Sequence, residues 1–416
     1  MMLSAGGAAR GDEAIGTQAA SAPSSAPAPR PHIVFLLADD LGWGDVGYHG
    51  SEIRTPAIDR LAQRGVRMNQ FYVLQSCTPT RAALLTGRHP MRFGLQAGIV
   101  WRDSDYGLPP EERTLAEALR DAGYETAIVG KWHLGHATRA MRPMAQGVAH
   151  QYGGLLASSG YFDRKRGGAS DWYRDEQPLQ EDGYTTDLLA AEAERIITEH
   201  DPQRPLFLYV PFTAPHLPLE APREYLKRYR RIRDRDRRTY AAMVTCLDDA
   251  IERILRALTR RGMERDTLVI FCSDNGAAGD SGGSNKPLRG GKRDLYDGAL
   301  RVPAAAWWPG VLEGGRVIDE PLHVTDWYPT LVRLAGGSLA QPRPIDGLDI
   351  WPTLTTGAPS PHEDLLLNFF PPGIGAIRRG PWKLLVRDSD DPPLTELFQL
   401  SDDPAECQNL AEAHPD

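Results

Sequence analysis

The chain has 416 residues, 41% hydrophobic and 25% charged, which is ordinary for a soluble globular enzyme and enough for a large core in two domains. Acidic residues outnumber lysines and arginines by 55 to 47, and the formal net charge of −8 argues against a general nucleic-acid-binding protein. No apolar run approaches the length of a transmembrane helix.

The N-terminal residues 1–30 differ in composition from the rest of the chain. They are rich in alanine, glycine, serine and proline and have no apolar core, which predicts a disordered leader. They also lack a hydrophobic segment of the kind that a secretory signal needs. We assign residues 31–350 to a main domain and residues 351–416 to a small C-terminal subdomain.

Two predicted strands end in oxygen ligands. The apolar run 32–38 is followed by Asp39 and Asp40, and the run 267–273 is followed by Asp274 and Asn275. Adjacent carboxylates repel each other unless a positive charge lies between them, and a hard cation with oxygen ligands meets that need. An all-protein set of oxygen donors favours Ca²⁺ over Mg²⁺. Taken alone, the acidic pair could cap a turn, and Asp-Asn-Gly is a common turn sequence.

Two further predicted strands lead to cationic and histidine side chains. The run 125–130 precedes Lys131 and His133, and the run 205–210 leads to His216. Each histidine alone is more often an ordinary core or surface residue. Because ligands of open α/β sheets bind beyond the carboxyl ends of the strands, we expect all these groups to meet at one edge.

Helical patterns alternate with the strands. This order predicts an α/β fold with a large, mainly parallel sheet between helices on both faces. In the smaller C-terminal α+β subdomain we predict strands at 382–386 and 397–400. The predicted helices are residues 57–64, 115–122, 185–199, 238–260 and 325–334.

Two basic segments remain. Lys292 ends a glycine-rich basic loop, residues 286–292, which could equally be a solvated surface loop. The run 227–238 contains eight lysines and arginines and two aspartates. It is either a solvated surface segment or a patch that attracts anionic polysaccharide.

The most specific motif begins at Cys77, with Pro79 and Arg81 at the second and fourth positions after it and Leu-Thr-Gly-Arg closing the block. A buried cysteine at a helix start is the plain alternative. The block resembles the signature of the type I sulfatase family. The similarity extends from about residue 31 to 412 and is greatest to the arylsulfatase B-like group. Other matching blocks are Pro31–Trp43, Gly130–Gly135, Ala214–His216, Pro287–Gly290 with Lys292, Asp326–Leu331 and Leu397–Leu400.

This resemblance implies an alkaline phosphatase-like fold and a formylglycine-dependent sulfuric ester hydrolase. Cys77 would be oxidised by a formylglycine-generating enzyme. One Ca²⁺ would be held by Asp39, Asp40, Asp274, Asn275 and the modified Cys77. Arg81, Lys131 and Lys292 would add positive charge around the sulfate, His216 with Lys292 would protonate the leaving alcohol, and His133 would act as a base in sulfate release.

The expected substrate is a sulfated carbohydrate, in particular a sulfated amino sugar, or an aryl sulfate. A phosphomonoesterase or phosphodiesterase on the same scaffold, and a non-catalytic glycan-binding relative, are the alternatives. The resemblance also implies export to the periplasm or the exterior of a bacterium, although no signal peptide is evident. Relatives often continue beyond Leu410, so we expect a shortened C-terminus.

Overall fold

The computed structural model describes residues 1–2, 30–370 and 373–415. The predicted disordered leader therefore lies almost entirely outside the described residues. The strands are β1 His32–Ala38, β2 Val66–Met68, β3 Phe71–Tyr72, β4 Glu125–Val129, β5 His150–Gly153, β6 Lys165–Arg166, β7 Ala169–Ser170, β8 Tyr173–Arg174, β9 Gln177–Pro178, β10 Leu206–Pro211, β11 Thr267–Ser273, β12 Ala304–Trp307, β13 Arg316–Ile318, β14 Leu322–His323, β15 Asp364–Phe370, β16 Ile374–Arg379, β17 Trp382–Arg387 and β18 Leu394–Gln399. The α-helices are α1 Pro56–Arg64, α2 Cys77–Thr86, α3 Leu115–Asp121, α4 Thr185–Glu199, α5 Arg223–Arg228, α6 Arg235–Arg260, α7 Asp297–Leu300, α8 Trp327–Leu334 and α9 Trp351–Thr356.

A ten-stranded sheet forms the centre of the fold, in the order β13-β2-β12-β11-β1-β10-β4-β5-β8-β9. Its five middle strands, from β11 to β5, are all parallel to their neighbours. Antiparallel pairs occur only towards the two ends of this sheet. The predicted mainly parallel α/β sheet is confirmed.

Strand β1 shows why the middle strands read as unbroken apolar runs. Its side chains alternate between two hydrophobic clusters: Ile33, Phe35 and Leu37 belong to one, whereas Val34 and Leu36 belong to the other. Residues from α2, α3 and α8 cover the first face, and residues from α1, α4 and α6 cover the second. Both faces are buried, so a polar residue at any position of the strand would lose its contact with water.

The register of the middle strands brings the carboxyl ends together. In the parallel pair β1–β11, Ala38 lies opposite Ser273, so the residues that follow, Asp39 and Asp274, are neighbours. The Asp274 N–H donates to the carbonyl oxygen of Ala38 at 3.0 Å and continues the ladder past the last paired residues. This edge of the sheet is where the predicted site residues are delivered.

A four-stranded antiparallel sheet, β15-β16-β17-β18, forms a small C-terminal subdomain. Strands β17 and β18 correspond to the two predicted ones, whereas β15 and β16 were not predicted. The predicted α+β subdomain also requires a helix, and α9 precedes this sheet. The boundary at residue 350 stays a prediction.

A fully buried ion cluster joins this subdomain to the main domain. The Lys383 ammonium group lies 2.8 Å from a carboxylate oxygen of Asp297, which begins α7, and 2.7 Å from one of Glu406. The hydroxyl of Tyr72 donates to the second Asp297 oxygen at 2.9 Å. Such a cluster is strongly destabilised when one partner is removed, because an uncompensated charge then stays buried.

Candidate active site

Cys77 is the first residue of α2, and the whole helix is buried. Pro79 is the third residue of this helix. A proline is permitted there because it lacks only an N–H that the first turn leaves unpaired anyway. Burial raises the pKa of the Cys77 thiol despite the nearby Lys131 and Lys292, so the unmodified residue is a neutral thiol and a weak nucleophile.

Asp39 and Asp274 lie beside Cys77, and each is paired with a buried cationic side chain. The Lys131 ammonium donates to Oδ2 of Asp39 at 2.5 Å. Arg81 donates through Nε and Nη2 to Oδ2 of Asp274 at 3.0 and 2.8 Å, and through Nη1 to the Lys131 carbonyl oxygen. Because the Arg81 guanidinium is engaged in this way, it holds Asp274 and the segment of Lys131 in place.

Asp40 forms a second group of contacts. Lys292 lies 2.8 Å from its Oδ1, and the Asn275 amide donates to the same oxygen at 2.6 Å. Nε2 of His216 is 3.6 Å from the other carboxylate oxygen. Asp40 therefore links the loop after β10, which carries His216, to the loop that carries Lys292.

Two backbone conformations at the site are uncommon for residues with a side chain. Asp40 has φ +66° and His133 has φ +59°. Left-handed backbone costs energy outside glycine, and such residues are concentrated at functional sites. His133 therefore does not continue the extended backbone of β4, although its side chain and that of Lys131 are both buried.

Two buried oxygens at this edge have no hydrogen-bond partner in the described part of the chain: Oδ1 of Asp39 and Oδ1 of Asn275. Ligand atoms of Asp39, Cys77 and Asp274 also lie within 4.8 Å of one another. Unpaired buried acceptors are costly unless a cation completes them. The residues present therefore fit a divalent ion with oxygen ligands.

The charges around these carboxylates are not balanced. Burial and the charge of Asp39 raise the pKa of Asp274 to about 6, although Arg81 and Lys131 oppose the shift. For Asp40, burial is outweighed by the Lys292 ammonium and by His216, and its pKa is lowered. A bound cation would relieve the repulsion that Asp274 feels.

The two histidines have defined hydrogen-bonding ends. Nε2 of His133 lies 3.1 Å from the Val100 carbonyl oxygen, and Nδ1 of His216 lies 2.6 Å from that of Leu217. A carbonyl oxygen only accepts, so each of these nitrogens carries the proton in the neutral ring. The opposite nitrogens, Nδ1 of His133 and Nε2 of His216, are therefore unprotonated in the neutral rings and can accept a hydrogen bond or a proton. Burial lowers the pKa of His216 to about 4, against the opposing charge of Asp40.

Sequence reasoning missed the residues that position these histidines. Val100 accepts from the His133 ring, and the Thr78 hydroxyl donates to the His133 carbonyl oxygen at 3.0 Å. The Tyr161 hydroxyl lies 2.9 Å from the His216 carbonyl oxygen. These contacts use main-chain atoms and join distant parts of the chain, so no local pattern could have revealed them.

All ten predicted site residues are thus buried or nearly so at one edge of the sheet. Comparison of the sequence with known protein families assigns the chain to one of them. Residues 31–338, most of the chain, match the family model described as Sulfatase. The chain belongs to the sulfatase family.

Sulfatase relatives cover most of this chain. Arylsulfatase J of Mus musculus is 41% identical over 350 residues, which are 82% of this chain and 58% of that protein. N-acetylgalactosamine-6-sulfatase of Mus musculus is 38% identical over 370 residues, which are 83% of this chain and 69% of that protein. The chain thus spans less than two thirds of the length of arylsulfatase J.

Solved structures agree with the sulfatase assignment. The crystal structure of Ps i-CgsB has a TM-score of 0.87 and 31% identity, and the match covers 93% of this chain and 90% of that one. The same protein in complex with k-i-k-neocarrahexaose has a TM-score of 0.86. The expected alkaline phosphatase-like sulfatase fold is confirmed. Among the described residues of this sulfatase, no helix is both long and apolar enough to span a bilayer.

Proposed function

We propose that this sulfatase hydrolyses sulfate esters of carbohydrates, using formylglycine made from Cys77 and one bound Ca²⁺. The observation that carries the proposal is the position of Cys77, which lies against Asp39 and Asp274 at the start of a buried helix. N-acetylgalactosamine-6-sulfatase, among the relatives, supports a sulfated amino sugar as the substrate class. The formylglycine-generating enzyme as a partner, and export from the cell, belong to the same proposal.

The proposed cation ligands are Asp39, Asp40, Asp274, Asn275 and the modified Cys77. Ca²⁺ is favoured because all these donors are oxygens supplied by the protein itself. When present, the hydrated formylglycine supplies a hydroxyl that can attack sulfur, and the cation supplies positive charge at the sulfate oxygens.

The lysines of the site hold positive charge where a sulfate would bind. Lys131 and Lys292 are both close enough to Cys77 to act on its thiol electrostatically. Burial works against the charged form of Lys292, but the carboxylates of Asp40 and Asp39 raise its pKa, so it stays an ammonium group. Two buried cations fixed by carboxylates need no reorganisation when negative charge develops on the sulfate oxygens.

Proton transfer is assigned to the two histidines and to Lys292. Nδ1 of His133 is buried, unprotonated in the neutral ring and without a hydrogen-bond partner among the described residues, so it is suited to accept a proton. Nε2 of His216 and the Lys292 ammonium both face Asp40. We assign both groups to protonation of the leaving alcohol. Of the two, Lys292 is the one that is charged at neutral pH.

Separate variants of the histidines test this division of roles. We expect His216→Ala to slow alcohol release by about 10²–10⁴-fold for a sugar sulfate and much less for an aryl sulfate, whose phenolate needs no proton. His133→Ala should give a burst of alcohol and then slow turnover, because its role follows alcohol release. Pre-steady-state kinetics over a series of leaving groups measures both effects, with the exposed His414→Ala as the control. Equal leaving-group dependence in both variants and no burst would show that the assignment is wrong.

The activity itself is tested by comparing p-nitrophenyl sulfate with p-nitrophenyl phosphate, using protein produced together with a formylglycine-generating enzyme. We expect turnover of the sulfate to exceed that of the phosphate. Sulfated N-acetylgalactosamine then tests the sugar class. Turnover of the phosphate alone would replace the proposal with a phosphomonoesterase, and no turnover of either by modified, metal-loaded protein would favour a glycan-binding protein.

A further inference from the structure

A groove of about 600 Å³ is lined in part by residues 219–221, a few positions after His216, and plays no part in the proposed chemistry. It is formed by the segment after β10, by α5 and by the N-terminal end of α6. Its lining includes four basic side chains, two acidic ones and an aromatic ring. The basic ones are Lys227, Arg230, Arg235 and Arg238, the acidic ones Glu220 and Asp236, and the ring is that of Phe162.

Hydrogen bonds connect the groove to the candidate active site. Tyr161 donates its main-chain N–H to Glu220 in the groove wall at 2.7 Å, while its hydroxyl contacts the His216 carbonyl oxygen. On the other side, Arg237 of α6 donates to the carbonyl oxygen of Gly282 at 3.1 Å, in the loop that leads to Lys292. Tyr161 therefore links a wall of the groove to the loop that carries His216. Helix α6, whose first turns line the groove, also contacts the loop that leads to Lys292.

The basic run 227–238 gives this groove an excess of unpaired positive charge. In that run, Arg228 is paired with Asp249 and Arg237 with Asp45. The other six basic residues make no ion pair within the described residues, and all but the half-buried Arg238 are exposed. They are Lys227, Arg230, Arg231, Arg233, Arg235 and Arg238.

Unpaired cations in this number are unexpected on a chain whose net charge is −8. Four of them line the groove and face only Glu220 and Asp236 as acidic groups there. A concave surface with an excess of one sign of charge concentrates ligands of the opposite sign. Phe162, whose side chain is 50% exposed, adds an apolar ring against which a sugar face can pack.

We propose that this groove binds the anionic sugar residues next to the one whose sulfate is cleaved, so that the substrate is a polyanionic polysaccharide segment and not an isolated sugar sulfate. This inference rests on the proposed function, since His216 and Lys292 define the leaving-alcohol side. Sugars attached through the alcohol extend from that side, towards the groove wall that Tyr161 links to His216. A sulfated polysaccharide is favoured over a nucleic acid because the chain as a whole is acidic.

The test uses dextran sulfate as the probe and calorimetry as the readout, so that binding is measured independently of turnover. The variant Arg230→Ala/Arg235→Ala removes two charges from the groove. Arg64→Ala/Arg265→Ala is the matched control, because both of its arginines are exposed and lie outside the groove. At low salt we expect about tenfold weaker binding for the groove variant and unchanged binding for the control.

Three outcomes decide the inference. Dextran sulfate should inhibit p-nitrophenyl sulfate turnover less in the groove variant, while turnover without inhibitor stays as in the wild type. Equal affinity of the two variants for dextran sulfate would overturn the proposal, and so would a single-stranded oligonucleotide binding the groove more tightly than dextran sulfate. If p-nitrophenyl sulfate is not hydrolysed by the wild type, the proposed function fails, yet the calorimetry still reports on the groove.

Discussion

Replacing Cys77 by alanine is expected to lower sulfate ester hydrolysis by about 10³-fold or more while the protein stays folded. The side chain is small, lies at the start of α2 and is 1% exposed, so its removal leaves only a minor cavity. The loss would be chemical, because Cys77 supplies the nucleophile in the proposed mechanism. Turnover of p-nitrophenyl sulfate and thermal unfolding measure the two halves of this expectation.

Two companion variants separate modification from catalysis. Cys246→Ala removes another buried cysteine, in α6, and should keep full activity. Pro79→Ala should lower the fraction of modified protein but leave turnover per modified chain unchanged, since Pro79 belongs to the signature and has no charge to offer. Mass spectrometry of the tryptic peptide spanning residues 68–81 gives the modified fraction. Full activity in a preparation that contains only free Cys77 thiol would contradict the proposal.

Replacing Asp39 or Asp274 by asparagine is expected to remove the bound cation and lower turnover by about three orders of magnitude. Each change keeps the shape of the side chain but removes a negative charge from the proposed ligand set. That set contains two unpaired buried acceptors, Oδ1 of Asp39 and Oδ1 of Asn275. A cation that polarises the reacting group contributes several kcal/mol, and about 1.4 kcal/mol corresponds to a tenfold change in rate.

Elemental analysis of the purified proteins is the readout that does not depend on activity. Wild type should contain about one equivalent of calcium, and the two variants much less. Asp248→Asn is the matched control, because this carboxylate is also buried but accepts from Ala57 and Ile58 at the start of α1. Undiminished calcium in both site variants, or none in active wild type, would show that the assigned ligands are wrong.

The parts of the fold that sequence predicted are those with the simplest physical cause. The runs at β1, β10 and β11 are buried on both faces, so every position must be apolar and the run is unmistakable. Polar residues directly after such runs had to lie at the carboxyl edge, which is why Asp39 and Asp274 could be placed together. Helices α1 and α4 followed from their apolar spacing.

Other features depend on contacts between distant residues. Strands β15 and β16 were missed because they form one layer with only one covered face, and their pattern is interrupted by a register shift between Leu366 and Asn368. The pairing of Lys131 with Asp39 and of Lys292 with Asp40 joins positions 92 and 252 residues apart. Sequence supplied these groups but not their partners, so it assigned Arg81 to the sulfate and not to the support of Asp274.

The burial of Cys77 sets an order for the events of biosynthesis. Every residue of α2 is enclosed by the fold, including the whole stretch that a modifying enzyme would have to read. A small ester can approach a recessed side chain, but another protein needs the surrounding backbone to be open. An enzyme that oxidises Cys77 therefore has to meet the chain while it is still extended, during or soon after translation. Under the proposed function, a chain that folds before Cys77 is modified would stay folded but lack activity.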